Sequence, residues 1–120
     1  MPNRGPFLCG EITAGISLAR LAAILQSGGM PARVRESSHY QGGRYVRVDD
    51  DGDFTIEQVA RGHFLVQATS DSTQRLEETS GAISNALSIH NLRHRFELYD
   101  AAQLMTQYLH HLWPAEANNG

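Results

Sequence analysis

The chain has 120 residues, enough for one domain with a continuous hydrophobic core, and a globular balance of 41% apolar and 19% charged residues. Its formal charge of −3 runs against the basic excess that phosphate neutralisation gives most nucleic-acid binders. All ten basic residues are Arg, which excludes a Schiff-base lysine, an amine general base and a phosphate-loop lysine.

Residues 1–6 are short and polar, and they read as a flexible N-terminus without an apolar targeting core. Phe7 to Thr13 reads as a first strand. Its single cysteine, Cys9, rules out an intramolecular disulfide framework and a Cys-rich zinc module, and is expected as a small core residue. A helix follows from about Gly15 to Gln26, with Leu18, Leu21, Ala22 and Leu25 on one face. Gly28, Gly29 and Pro31 end it.

Ala32 to Ser37 and Arg44 to Asp49 alternate polar and apolar residues around Gln41-Gly42-Gly43, the pattern of a hairpin. A turn is expected at Asp49-Asp50-Asp51-Gly52. The segment 53–61 fits two patterns: Thr55 with Gln58 could cap a helical turn, or Phe54 and Ile56 could belong to a strand. His63 to Thr69 reads as a strand, and Asp71 or Ser72 opens a helix bearing Leu76, Ile83, Ala86 and Leu87 on one stripe.

Arg95 to Tyr99 reads as a last strand. Asp100 and Gln103 then form a capping pattern ahead of a third helix, with Leu104, Tyr108, Leu109 and Leu112 on its apolar side. Pro114 stops that helix, and residues 114–120 read as a flexible tail. The expected fold over 7–113 is a single α+β domain. It is a ferredoxin-like split βαβ sandwich, an antiparallel sheet with two helices on one face. The extra C-terminal helix would cover a sheet edge or dock on a partner chain.

No motif assembles a catalytic, metal or cofactor site. Gly10 to Ser17 has the layout of a phosphate loop but carries Ile16 where the lysine belongs, so it reads as a strand-to-helix turn. Aligning Gly52 as the sixth residue of a calcium loop puts Arg47 first and Gln58 twelfth, neither of them a suitable ligand. His90 and His94 lie where a helix should end, and the adjacent His110 and His111 cannot readily chelate one ion, so the histidines read as surface or partly buried groups. Arg61 to Ala68 is similar to the third-strand motif of RNA-recognition domains. Its outward positions, His63, Leu65 and Gln67, lack the stacking aromatics, so nucleic acid is not an expected partner.

Alternation nevertheless gathers one set of residues. With Val34, Val46, Val48, Phe64 and Val66 inward, the helix-free face of the sheet receives Arg33, Arg35, Tyr45, Arg47, His63 and Arg95. Arginine gives bidentate hydrogen bonds to carboxylate or phosphate, and Arg and Tyr are enriched in protein interfaces. The bland alternative is a solvated face on which Glu11 and Glu97 pair some of these arginines. The functional expectation is a non-catalytic, cytoplasmic, oligomeric binding protein, with a dimer the simplest assembly. It recognises an acidic ligand or partner protein through these residues, without cofactor, metal or membrane. The alternative is a small enzyme using His63 as acid or base beside Arg and Tyr.

Overall fold

In the computed structural model, which describes residues 5–49 and 53–113, β1 spans Phe7–Thr13 and buries Leu8, Gly10 and Ile12 on one face. Cys9 alternates with these residues and so stands exposed on the opposite face, contrary to the core position expected of it. Gly10 permits a close contact: a Cβ there would lie 2.6 Å from the Phe96 ring and 2.7 Å from the Arg95 carbonyl.

Helix α1, Leu18–Ser27, starts where the Ser17 hydroxyl accepts the Arg20 N–H at 3.0 Å, and it buries Leu18, Leu21, Ala22, Ile24 and Leu25. Strands β2 (Ala32–Glu36) and β3 (Arg44–Asp49) form the expected hairpin around a 3-10 turn at Gln41–Gly43. The expected acidic turn lies, in its residues 50–52, outside the described residues, as do 1–4 and 114–120.

The ambiguous segment is strand β4, Asp53–Ala60. Phe54 and Ile56 decide this. Two residues apart, they share a face only in a strand, and both are buried there between β3 and β5. Arg61 and Gly62, the latter with φ of 74°, turn the chain into β5, His63–Thr69. Helix α2, Thr73–Ile89, is capped by Ser72 and buries the stripe of Leu76, Ile83, Ala86 and Leu87. Strand β6 then runs Arg93–Tyr99.

The third helix does not form. In its place Met105–His111 is a strand, β7, paired antiparallel with β6. Asp100 does accept backbone N–H bonds, but those of Ala102 (2.9 Å) and Leu104 (3.0 Å), closing a tight turn with Gln103 at φ 66°. A capping aspartate and a turn-forming aspartate both bind amides a few residues ahead, so their local signatures overlap.

The seven strands form one antiparallel sheet in the order β2-β3-β4-β5-β1-β6-β7. Both helices cover the same face, where they pack on each other and close a core including Ile12, Leu21, Ile56, Phe64, Leu87 and Phe96. The opposite face carries no described helix.

Candidate functional site

The uncovered face receives all six residues that alternation assigns to it: Arg33, Arg35, Tyr45, Arg47, His63 and Arg95. The topology separates them into two groups. Arg33, Arg35, Tyr45 and Arg47 sit on β2 and β3 at one edge, whereas His63 and Arg95 flank β1 in the middle. Four strand spacings divide β3 from β6, about 19 Å at the usual interstrand distance.

The middle is a closed polar network. Glu11 on β1 stands between its register partner Arg95 on β6 and His63 on β5. The Arg95 guanidinium donates to Glu11 Oε2 and, at 2.6 Å, to Glu97 Oε2, while the Tyr99 hydroxyl donates to Glu97 Oε1 at 2.7 Å. His63 Nε2 lies 2.9 Å from Glu11 Oε1. Burial raises the Glu11 carboxyl, but the hydrogen bonds from Arg95 and His63 outweigh it and hold the group below its ordinary value. An ionised carboxylate only accepts, so His63 Nε2 is the donor in this contact.

Burial alone would lower Arg95, yet Glu11 and Glu97 reverse that and raise it. The Trp113 ring stands 4.0 Å from the Arg93 guanidinium and 5.4 Å from that of Arg95. Arg95 is thus held by its own chain, the pairing that Glu11 and Glu97 suggest in the sequence. The roles of Tyr99 and Trp113 escape sequence reasoning because side-chain alternation identifies a face without identifying contacts on it.

The β2–β3 end is built differently. Arg33 is the direct cross-strand partner of Arg47, and Arg35 that of Tyr45. Two like charges thus face each other in register, an arrangement that costs stability in a sheet. Arg47 also meets Asp53 at 3.1 Å. Tyr45 stacks on Tyr40 at 4.1 Å between ring centres. Beside them lies an open depression of about 430 Å³, bordered by Tyr40, Arg47, Thr55, Gln67, Cys9 and Phe7. Tyr40 is a lining residue that sequence reasoning missed, since it sits in the connection between β2 and β3 and not on a strand.

This end offers planar cationic donors beside an aromatic wall, the chemistry that grips a carboxylate or stacks on a planar group. Partial burial against its strand neighbours and then Glu97 raise the exposed Cys9 thiol and outweigh Arg95, so it stays protonated and is a poor nucleophile. A second depression of about 390 Å³ lies at the start of α1 between Arg44 and Arg61, where Ser17 already caps the helix.

The histidines divide. His94, expected as a surface or partly buried group, is fully buried in β6 because alternation places it inward with Phe96 and Leu98. Its Nδ1 donates to the Leu92 carbonyl at 2.9 Å, and its Nε2 accepts from the Ser84 hydroxyl at 2.7 Å. Among the described residues, no three His, Cys, Asp or Glu side chains gather around a common metal position. Neither is any described helix long and apolar enough to cross a membrane. Comparison with protein-family models, curated proteins and solved structures finds no match to this chain.

Proposed function

We propose that this chain is a non-catalytic, oligomeric binding protein that recognises a carboxylate-rich ligand or partner protein through the β2–β3 end of its open sheet face. The observation that carries the reading is Arg33 set directly against Arg47, with Arg35 beside them. This pair, of which Arg47 also meets Asp53, can take up a partner's carboxylate, because one guanidinium can donate two parallel hydrogen bonds to it and the other can add a further one. The stacked Tyr40 and Tyr45 supply the rigid aromatic surface common at the centre of protein interfaces. The middle of the face adds little attraction for an anion, since Arg95 is occupied by Glu11 and Glu97.

The same proposal takes β4-β5-β1-β6 with the two helices as a ferredoxin-like core, to which β2, β3 and β7 are added. It places the protein in the cytoplasm, where one unpaired cysteine is unremarkable.

Titration with fluorescent polyglutamate tests the reading. Binding should weaken as salt rises and should drop at least tenfold when Arg33→Ala and Arg35→Ala are combined, with the melting temperature unchanged or slightly raised. Binding that survives this double substitution unchanged would sink the assignment.

A second reading, a small enzyme with His63 as acid or base, draws on one observation: Glu11 orients the imidazole through its Nε2. Nitrogen NMR of the ring tests it. A proton on Nε2 fits the role, and a proton on Nδ1 alone removes its basis.

A further inference from the structure

The two edges of the sheet are not alike. The outer edge at β2 is five residues long, follows Pro31, and carries the charges of Arg33, Arg35 and Glu36. Short length, proline and charge are the usual guards against edge-to-edge pairing. The opposite edge at β7 is seven residues long, Met105–His111, contains no Asp, Glu, Lys, Arg or Pro, and pairs regularly with β6 from Gln107 to His111, its one irregularity being a bulge at Thr106. No described segment pairs with its outer side. Leu104, Met105 and Leu112 are exposed at or just beyond its ends, at 65%, 44% and 58%.

We infer that β7 is the interface through which two copies of this chain associate, edge to edge and antiparallel, forming one continuous sheet. Charge selects the second copy as the occupant. A twofold axis through Tyr108 would set Thr106 opposite His110 of the other copy and Gln107 opposite Leu109, with no pair of formal charges in conflict. The same operation on β2 would centre on Val34 and force Arg33 against the other copy's Arg35. The contact buries less than the roughly 800 Å² per partner of a standard interface, so association is concentration-dependent and reversible. Main-chain hydrogen bonds supply the affinity, as in strand addition generally. The two open faces would lie side by side, so a partner with two acidic segments could engage both and gain avidity.

Sedimentation velocity over a low-micromolar to submillimolar series tests this on the full chain. The mass should rise from 13.3 kDa towards twice that value. Thr106→Lys combined with His110→Lys should stay monomeric, as should Thr106→Glu combined with His110→Glu. An equimolar mixture of the two variants should dimerise again, which neither could do if it had simply failed to fold. Wild type that stays monomeric throughout overturns the inference, as does a dimer that persists in both charged variants. A dimer abolished by Arg33→Ala alone would also overturn it, by moving the interface to the open face. A monomer that still binds polyglutamate overturns this inference and the oligomeric part of the proposed function, and leaves the recognition of carboxylates by the β2–β3 end standing.

Discussion

Ser80 and Ser84 lie one turn apart on the buried side of α2, yet the same substitution should affect them in opposite directions. Ser84 donates to His94, so Ser84→Ala strands a buried ring nitrogen and should cost about 1–3 kcal/mol. Ser80 Oγ is buried without a hydrogen-bond partner among the described residues. Ser80→Ala removes that unsatisfied hydroxyl and places a better helix former, so a gain of about 1 kcal/mol is expected. Thermal melts decide: each kcal/mol corresponds to roughly 4–8 °C in a domain near this size. Equal losses in both variants would contradict the hydrogen-bond assignment. His94 adds a pH dependence. Burial holds it below its ordinary value, so the folded state resists a proton that the unfolded chain accepts near about pH 6.5. Its stabilising contribution is therefore complete above that pH and is lost as acid carries the solution down through it. Denaturant unfolding should show stability falling between about pH 7 and about pH 5.5, with a flatter profile in His94→Leu. Glu11, held low by Arg95 and His63 against the opposing effect of burial, contributes its full stabilisation above about pH 4.3 and loses it only as the solution is acidified below that.

At the scale of elements, β1, β3, β5 and both helices are legible because each carries one clear period and one clear stop. Leu18, Leu21 and Leu25 repeat at helical spacing, and Gly28 and Gly29 follow. Val46 and Val48 alternate with Arg47. The C-terminal segment carries two periods at once. Leu104, Tyr108 and Leu112 are four apart, as on a helix, while Thr106, Tyr108 and His110 are two apart, as on a strand. Pairing with β6 settles the choice, and that contact is invisible to a local reading. Gln103 gives a test whose sign distinguishes the two. In a helix, Gln103→Gly would cost about 1 kcal/mol. In the left-handed turn position it occupies, at φ 66°, the same change relieves strain and should raise stability by a few tenths to about 1 kcal/mol.

For the whole molecule, alternation identifies the open face and the arginines on it but says nothing about which of them are engaged within the chain. Arg95 is held by carboxylates from β1 and β6, and only the assembled sheet brings Glu11 to it. Arg33 and Arg47 meet because the β2–β3 hairpin has one particular register, and a slip of one residue would turn one of them to the other face. Function is consequently argued from the site, since an antiparallel sheet with two helices serves many unrelated purposes. The most direct measurement is amide NMR mapping of the full chain during titration with polyglutamate. The account predicts saturable shifts centred on Arg33, Arg35, Tyr40, Tyr45 and Arg47, with the Arg95 region nearly still. Shifts centred on Arg44, Arg61 and the start of α1, or no shifts at all, would contradict it.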